Sequence, residues 1–379
     1  MIWAAVFEFL PLAIWLYLLI GHGFYWTAQI RDDRNTPPDP AQFPAVTAVV
    51  PARNEGDVIA SSIGSLLAQD YPGPFRVILV DDESDDGTAQ IARNLPGSER
   101  LTVISGTPRP PGWTGKLWAV SQGIAQAGGE PTYLWLTDAD IEHTQDNLRH
   151  LVARAGSAGL VLTSLMAHLQ CQNAAERFYI PAFVYFFQML YPFARVNDPK
   201  SHTAAAAGGC MLIAREALER AGGIAAVRSA IIDDCAIARL IKAQGPIWLG
   251  LTDRSLSIRP YANMEEIRRM VARSAYAQLE YSRLILVGTL AALGLIFVAP
   301  PVMAIFGSGI GRLAGLLAWL LMATSFWPVL RFYKRSPFWG LALPAIGFVY
   351  ALFTLDSAIK HWQGRGGMWK GRAQAMVKS

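Results

Sequence analysis

The sequence predicts an α/β domain with a mainly parallel sheet, flanked on both sides by segments apolar enough to enter a membrane. In the middle of the chain, short runs rich in β-branched residues alternate with segments whose apolar residues recur about every 3.6 positions, as in βαβ units. Two of these short runs end directly in a cluster of aspartates. The 379-residue chain is 52% hydrophobic and only 16% charged, and its apolar excess lies at the two ends. This composition argues against an ordinary soluble protein.

Four apolar segments predict membrane helices. The first, Ile2 to Ile20, lacks the basic start and the cleavage site of a signal peptide, so we expect it to be retained. The other three, Leu284 to Phe306, Leu313 to Leu330 and Phe338 to Leu355, have the length of about 17–25 residues that a span needs. Buried helices of a soluble protein are the alternative, but charged residues flank these segments instead of interrupting them.

These segments divide the chain into five parts. We predict an N-terminal membrane helix at 1–26, a Pro-rich linker at 27–44, a globular α/β domain with amphipathic membrane-surface segments at 45–283, membrane helices at 284–358 and a basic tail at 359–379. Within the globular domain, Phe178 to Phe193 is an aromatic stretch that fits either the membrane interface or a buried helix.

Charge and cysteine content narrow the class of protein. The net charge is +4, and the basic clusters lie beside apolar segments, where lipid headgroups explain them better than nucleic acid does. The three scattered cysteines match no metal spacing or disulfide framework, which fits a reducing, cytoplasm-facing domain. Four spans would then leave the basic tail outside, against the positive-inside tendency. Either the tail is an exception or one segment is re-entrant.

The globular domain begins with alternating strands and helices. Strands are predicted at 45–50, 75–80, 101–104 and 133–137, and helices at 54–67, 88–95 and 116–127. Ligands of such sheets bind beyond the carboxyl ends of the strands. The acidic clusters that follow the second and fourth strands are therefore the first indication of a functional site.

The first acidic cluster lies in "VDDESDDGT". Part of it matches the start of an EF-hand loop, but Arg93 stands at the twelfth position and a strand precedes the loop, so calcium is a poor interpretation. Asp81 and Asp82 lie at the strand end, where their carboxylates are available to a ribose and a base. Asp85 and Asp86 instead suit the cap of the following helix.

The second cluster, "TDAD", places Asp138 and Asp140 directly after an apolar strand. Carboxylates in this D-x-D spacing suit Mg²⁺ or Mn²⁺, which bridge protein oxygens to phosphate, although a solvated turn is the alternative. Lys116 lies just inside a predicted helix, where the helix N-terminus favours a phosphate. A solvated lysine is the alternative there.

Two further stretches contribute candidate binding residues. "PARNE", with Pro51, Ala52 and Glu55, follows the first strand and fits either a base or ribose pocket or the beginning of a helix. Gly208 and Gly209 permit either the close approach of backbone to a ligand or close strand packing.

A pair of aspartates, Asp233 and Asp234, begins an apolar-periodic helix. A helix cap explains one of the two carboxylates, and a general base at the mouth of a pocket is the interpretation for the other. His143 and His202 have no partner at the spacing of a metal site or a catalytic triad, so no role is assigned to them.

Taken in order, these motifs resemble those of family 2 glycosyltransferases, which have the Rossmann-like GT-A fold. The matching stretches are "VVPARNE", "VDDESDDGT", "GKLWA", "TDAD", "GGCMLI" and "DDCAIARL". The arrangement of spans resembles the ceramide-glucosyltransferase-like branch, and so does the final "GMWKGR". Within that branch the chain is similar to glycosyltransferases associated with bacterial hopanoid biosynthesis. The resemblance thus implies a multi-pass protein of the bacterial inner membrane, with its catalytic domain in the cytoplasm.

The resemblance also implies a role for each matched residue. The nucleotide sugar would be bound by Asp81, Asp82, Pro51, Ala52, Glu55 and Lys116. Asp138 and Asp140 correspond to the D-x-D that holds the sugar and a divalent metal, Mg or Mn. Gly208 and Gly209 would form the floor beneath the donor sugar, and Asp234 would be the base. Asp233 stands where glutamate is commoner in the family.

One departure from the family concerns a helix that often carries Q-x-x-R-W at the membrane surface. In this chain Met270, Arg273 and Ser274 stand at the Gln, Arg and Trp positions. The complete motif is typical of processive polysaccharide synthases, so its loss favours a single transfer to a lipid. It also weakens the case for a catalytic role of Arg269 or Arg273.

The sequence therefore predicts a metal-dependent, inverting transfer of a sugar from a nucleotide sugar to a membrane lipid. A UDP-sugar is the favoured donor, and the resemblance implies a hopanoid acceptor. A processive polysaccharide synthase and a non-catalytic nucleotide-sugar-binding membrane protein are the alternatives. A transporter would need more spans, with more charges inside them.

Overall fold

The computed structural model describes residues 2–366, 368–369 and 372–373, which form two compact units. The sheet unit comprises the described residues of 30–170, 195–260 and 368–379, and the helical unit comprises those of 1–29, 171–194 and 261–367. Gly367, Lys370 and Gly371 of "GMWKGR", and residues 374–379 of the predicted basic tail, lie outside the described residues.

The helices are numbered along the chain through both units. They are α1 (Ile2–Ile20), α2 (Ile59–Leu67), α3 (Thr88–Arg93), α4 (Gly115–Gln126), α5 (Asn147–Ala158), α6 (Ala174–Leu190), α7 (Phe193–Asn197), α8 (Arg215–Arg220), α9 (Asp233–Lys242), α10 (Met264–Gln278), α11 (Arg283–Leu293), α12 (Ala299–Phe306), α13 (Gly309–Phe332) and α14 (Leu343–Trp362).

One mixed sheet organises the sheet unit. Its strands are β1 (Val46–Ala52), β2 (Phe75–Asp81), β3 (Leu101–Ser105), β4 (Tyr133–Leu136), β5 (Ile141–His143), β6 (Leu162–His168), β7 (Met211–Ala214) and β8 (Ile247–Ser257). They are ordered β3-β2-β1-β4-β7-β6-β8-β5. Strand β7 runs antiparallel to both neighbours and β5 to β8, while the other neighbouring pairs are parallel. The predicted α/β class with a mainly parallel sheet is confirmed.

The strands predicted from the sequence are β1 to β4, and each observed strand overlaps its predicted segment. The predicted helices correspond to α2, α3 and α4. Strands β5 to β8 were not predicted. Strand β5 is three residues long, and the antiparallel β7 interrupts the regular alternation of strand and helix on which the prediction rests.

The core beneath the first strands explains why this part was predictable. Ile59, Ile63 and Leu66 of α2 recur at helical spacing and are fully buried, in one cluster with Trp135 of β4. Burying one such side chain stabilises the fold by about 1.5–3 kcal/mol. The same apolar periodicity therefore both predicts the helix and fixes it against the strands whose ends carry the acidic clusters.

Three helical stretches of the helical unit are long and apolar enough to cross a membrane, by length and composition, among the residues described. They are Arg283–Phe306, Gly309–Phe332 and Pro337–Trp362, and each contains a segment predicted to span. Their surfaces expose large side chains, including Leu284 and Phe306, which are 86% and 80% exposed. Exposed apolar surface on this scale suits lipid better than water.

The predicted N-terminal span forms helix α1, which covers the same residues as the prediction. Within this helix, residues Glu8–Ile20 form an apolar helical segment that is shorter than the three C-terminal stretches. Trp15 is fully buried and donates a hydrogen bond of 2.8 Å from its indole nitrogen to the carbonyl of Ile296. Helix α1 is therefore an integral part of the helical unit.

The aromatic stretch that fitted either the membrane interface or a buried helix forms α6. The Tyr185 side chain is fully buried, and its hydroxyl lies 2.6 Å from Ser325 Oγ and 2.9 Å from the hydroxyl of Tyr25. Tyr179 is also buried, and its carbonyl accepts a hydrogen bond from the Tyr350 hydroxyl. The structure thus favours the buried helix for this face of α6.

His143, to which the sequence assigned no role, lies in a buried polar network. Its ring nitrogens are 2.9 Å from Thr137 Oγ1, 3.0 Å from Ser255 Oγ and 3.0 Å from Asn147 Nδ2. Burial lowers the pKa of His143 to about 3. The imidazole is therefore neutral at physiological pH and joins strands β5 and β8 to α5 as a structural residue.

We predict that His143 makes the fold sensitive to acid. In the unfolded chain its pKa is 6.5, so below this pH the unfolded state binds a proton that the folded state excludes, down to about pH 3. Stability should fall by about 1.4 kcal/mol for each pH unit below 6.5. Thermal unfolding in detergent at pH 7.5 and 5.0 measures this loss, which His143→Gln should reduce.

The exposed His202 supplies the matched control. The variant His202→Gln should keep the acid sensitivity of the wild-type protein. Equal pH dependence in the wild-type protein and in His143→Gln would contradict the prediction.

Candidate active site

The acidic clusters meet at one edge of the sheet. Strands β1 and β2 are parallel and in register, with Ala52 opposite Asp81, and β4 lies on the other side of β1. The carboxyl ends of all three strands therefore point to the same edge, and Asp138 follows β4 there. The common edge expected from the sequence follows directly from this parallel register.

The loops after β1 and β2 are joined to each other by hydrogen bonds. The Asn54 backbone, held at a φ of 51°, donates to Ser84 Oγ at 2.9 Å, and the Asn54 side chain accepts from the Asp85 amide at 3.1 Å. Asp86 accepts from the amides of Gly56 at 2.7 Å and Thr88 at 3.1 Å. The N-cap residue of α3 is Gly87, which precedes Thr88, and the Asp86 side chain, rather than that of Asp85, accepts the amide of Thr88.

The first pair of aspartates has a different environment. The Asp82 side chain is nearly fully buried, and Arg53 Nη1 donates to its carbonyl at 2.5 Å and lies 3.5 Å from its carboxylate. Asp81 has one buried carboxylate oxygen, Oδ1, with no hydrogen-bond partner among the described residues. Such an oxygen is costly to leave unpaired and is suited to accept a hydrogen bond from a ligand.

Lys116 lies between two carboxylates. Its ammonium is 2.8 Å from Asp138 Oδ1 and 2.9 Å from Asp233 Oδ2, and its side chain is 19% exposed. Burial opposes the charge, but the two carboxylates outweigh it and raise the pKa of Lys116. The sequence predicted that this lysine, near the start of a helix, would bind a phosphate. In the structure its ammonium pairs with two protein carboxylates.

Asp234 is held by backbone amides at the beginning of α9. Its carboxylate accepts hydrogen bonds from the amides of Gly208 at 3.1 Å and Cys235 at 2.7 Å. Burial, assisted by the neighbouring Asp233 carboxylate, raises the pKa of Asp234 to about 6. A fixed carboxylate with a pKa near neutrality has the properties of a general base.

The two glycines have different roles. A Cβ on Gly208 would lie 3.3 Å from Lys116 Nζ, 3.6 Å from Asp234 Oδ2 and 3.7 Å from Asp138 Oδ2. Because glycine has no side chain, the space between these three groups stays open. A Cβ on Gly209 would instead lie 3.2 Å from the Ile141 side chain. Gly208 therefore borders the site, whereas Gly209 permits close packing.

A cleft brings several of these residues together. Its lining includes Pro51, Lys116, Asp138, Gly208 and Asp233. Ala52 is fully buried within β1 and does not line this cleft. Five predicted site residues from distant parts of the sequence thus line one opening at the sheet edge, whereas Glu55, Asp81, Asp82, Asp140, Gly209 and Asp234 are not in its lining.

Arg259 is a site residue that the sequence interpretation missed. Its Nε lies 3.0 Å from Asp140 Oδ2, and its Nη2 pairs with the carboxylate of Glu55. It comes two residues after β8, and the Ile258 amide donates to the Asp140 carbonyl at 2.9 Å. The available signal was a charged residue directly after a strand, the same signal that identified Asp138, but β8 itself was not predicted.

The carboxylate oxygens of Asp138 and Asp140 fit a divalent ion whose remaining ligands come from a phosphate group. No group of three or more His, Cys, Asp or Glu side chains that would form a complete metal site is present among the residues described. Mg²⁺ is commonly held by one or two carboxylates together with substrate phosphates, so two aspartates are sufficient. Both carboxylates already face a cation, Lys116 or Arg259, which indicates that positive charge is stabilised there.

Residues 47–222 match the family model described as Glycosyl transferase family 2. The chain is also similar in structure to a mannosyltransferase from Pyrobaculum calidifontis that was solved in complex with GDP-Man and Mn2+. That similarity covers 94% of this chain and 99% of the other, with a TM-score of 0.55 and 20% sequence identity. The structural similarity shows a GT-A-like fold, and the match to the family model supports family 2 of the glycosyltransferases.

Curated relatives match part of the chain. It is 28% identical over 141 residues to a poly-beta-1,6-N-acetyl-D-glucosamine synthase of Staphylococcus aureus, covering 36% of this chain and 32% of the relative. It is 33% identical over 112 residues to a beta-monoglucosyldiacylglycerol synthase of Trichormus variabilis, covering 29% and 23%. The chain thus spans about a third or less of the length of these relatives.

We predict that the Lys116 ion pairs stabilise the fold. The variant Lys116→Met leaves Asp138 and Asp233 close together without a cation, which should lower the free energy of unfolding by about 3 kcal/mol. Adding Asp233→Asn removes one of the opposed charges, so the double variant should be more stable than Lys116→Met alone. Thermal unfolding in detergent measures both effects, and additive losses in the double variant would contradict the prediction.

Proposed function

We propose that this protein is an inverting glycosyltransferase that moves a sugar from a nucleotide sugar to a lipid in the membrane. The observation that carries the proposal is the Asp234 carboxylate, which accepts hydrogen bonds from the amides of Gly208 and Cys235. It lies next to Gly208 and Asp233, and both of these residues line the cleft together with Lys116 and Asp138. This arrangement supports a general base at Asp234, next to groups suited to a phosphorylated sugar.

The nucleotide part of the donor would bind at the ends of β1 and β2. The unpaired Asp81 oxygen is available to a base or ribose, and Asp82 lies buried beside it. Pro51 and Glu55 would form the remainder of this pocket, and Ala52, which the resemblance also assigned to it, is fully buried within β1. The interpretation favours a UDP-sugar, with a GDP-sugar as the alternative suggested by the similar mannosyltransferase.

Asp138 and Asp140 would hold a Mg²⁺ or Mn²⁺ ion with the diphosphate of the donor. When bound, such an ion supplies charge neutralisation for the leaving diphosphate. Lys116 would bind the donor once its carboxylate partners are engaged elsewhere, because its ammonium already lies within the cleft.

The chain's own chemistry is the removal of one proton. Asp234 would accept the proton of the acceptor hydroxyl as the hydroxyl oxygen forms a bond to the anomeric carbon. The bond from that carbon to the diphosphate oxygen breaks on the opposite face, which inverts the anomeric configuration. Asp233 would keep Asp234 a stronger base through its like charge, which raises the pKa of Asp234.

We predict that activity depends on an ionised Asp234. Because its pKa is about 6 and a base must be deprotonated, turnover should rise tenfold per pH unit below pH 6 and level off above it. Asp234→Asn should lower turnover by about 10²–10⁴-fold, which is the usual contribution of a general base. Release of the nucleoside diphosphate from the donor, measured from pH 5 to 8, tests both statements.

Asp70→Asn is the matched control for this charge change. Its carboxylate is exposed and lies outside the site, so its rate and pH profile should equal those of the wild-type protein. Wild-type turnover in Asp234→Asn would show that another group is the base. Donor binding without turnover in the wild-type protein would favour the non-catalytic alternative.

The lipid acceptor is supported by the apolar helices and by the departure from Q-x-x-R-W. Arg273 is exposed on α10, with Ser274 at the position of the tryptophan of processive synthases. A glycolipid synthase is among the relatives, but so is a polysaccharide synthase. We propose a single transfer, in the bacterial inner membrane with the catalytic domain in the cytoplasm, to an acceptor for which a hopanoid is the candidate by resemblance.

We predict that a labelled UDP-sugar transfers its label to one organic-soluble lipid. Membranes of a deletion strain should lack this glycolipid, because nothing else would transfer the sugar to that acceptor. Complementation with the wild-type chain should restore it, and complementation with Asp234→Asn should not. Mass spectrometry of the product separates a hopanoid from a diacylglycerol acceptor, whereas label in a water-soluble polymer would favour the polysaccharide synthase.

A further inference from the structure

Arg259 forms an ion pair with the Asp140 carboxylate, which the proposed metal ion would need as a ligand. Its guanidinium bridges Asp140 and Glu55, at the ends of two different segments of the site. The side chains are largely withdrawn from water, with 29% of Arg259, 26% of Asp140 and 9% of Glu55 exposed. Solvent therefore screens this pairing less than it would screen a surface ion pair.

The backbone fixes Arg259 at this position. Strand β8 pairs antiparallel with β5, with Ser257 opposite Ile141, so the residues after β8 lie beside the turn that contains Asp140. The Ile258 amide donates to the Asp140 carbonyl at 2.9 Å, and Pro260 follows. The contact of Arg259 with Asp140 is thus a consequence of strand register rather than of a chance side-chain orientation.

A guanidinium and a divalent ion compete for the Asp140 carboxylate. Two cations at one carboxylate repel each other, and Glu55 alone does not offset the added charge. A diphosphate changes this balance, because it brings negative charge and matches the planar donor fork of arginine. The three groups are mutually compatible only when the nucleotide is also bound.

We infer that Arg259 is a positioning residue that makes metal binding at Asp140 conditional on the nucleotide diphosphate. In the free protein Arg259 pairs with both Asp140 and Glu55. When nucleotide and metal arrive together, the guanidinium keeps Glu55 and turns toward the diphosphate, while Asp140 passes to the metal. The inference rests on the proposed function and adds a binding order to it.

The test measures Mn²⁺ binding by the loss of the free-ion electron paramagnetic resonance signal, using the full chain in detergent, with and without UDP or GDP, and subtracts the loss that the same nucleotide causes without protein. The wild-type protein should bind Mn²⁺ at least tenfold more tightly when the nucleotide is present. Arg259→Gln should bind Mn²⁺ alone about tenfold more tightly than the wild-type protein, because it frees a carboxylate. The same variant should bind the nucleotide more weakly and lose most of the coupling.

Arg220→Gln is the control, because this arginine forms a surface ion pair with Glu216 within α8 and should leave all these affinities unchanged. Arg259→Lys keeps the positive charge without the two-armed bridge, so it should show intermediate Mn²⁺ affinity. If Arg259→Gln does not fold, the role of Arg259 is decided by two other measurements. These are the Mn²⁺ affinity of Arg259→Lys and the effect of the nucleotide on the Mn²⁺ affinity of the wild-type protein.

Two outcomes would overturn the inference: equal Mn²⁺ affinity of the wild-type protein with and without the nucleotide that it binds, or unchanged metal-only affinity in Arg259→Gln. Failure of the proposed function gives a different result, in which neither UDP nor GDP binds the wild-type protein in the presence of Mn²⁺. The metal-only comparison between the wild-type protein and Arg259→Gln still decides the role of Arg259 in that case.

Discussion

Carboxylate repulsion is the constraint on which the site depends. Asp138, Asp140, Asp233 and Asp234 converge at one sheet edge, and two cations, Lys116 and Arg259, offset only part of their charge. Each cation bridges two acidic residues from different elements of the fold. Moving either cation toward a ligand therefore alters its pairing with carboxylates from two elements, so the charges of the site are coupled.

The parts of the fold that could be predicted from the sequence are those with local patterns. The alternation of apolar strands and the helix with Ile59, Ile63 and Leu66 identified β1 to β4 and their helices, and the aspartates after β2 and β4 identified the sheet edge. Strands β5 to β8 depend on long-range pairing, including an antiparallel strand inserted between β4 and β6, and no local period indicates such pairing.

The candidate site shows the same division. Each carboxylate was visible in a motif, but the pairings between them were not, because Lys116, Asp138 and Asp233 come from separate segments. Arg259 was missed because it lies outside the stretches that resemble the family motifs and because it follows β8, a strand that was not predicted. Gly209 was grouped with Gly208 by sequence adjacency, yet only the backbone geometry separates a residue that borders the site from one that packs beneath it.

The bonded pair of loops after β1 and β2 has a consequence for the rate of ligand capture. Asn54, Ser84, Asp85 and Asp86 hold each other in place before any ligand is bound, and the left-handed backbone of Asn54 is maintained by this network. A nucleotide arriving beside Asp81 therefore meets walls that are already ordered, and association loses less conformational entropy than it would in a mobile pocket. Capture at this end should resemble a rigid-body encounter, limited by diffusion and orientation rather than by a slow rearrangement of the loops.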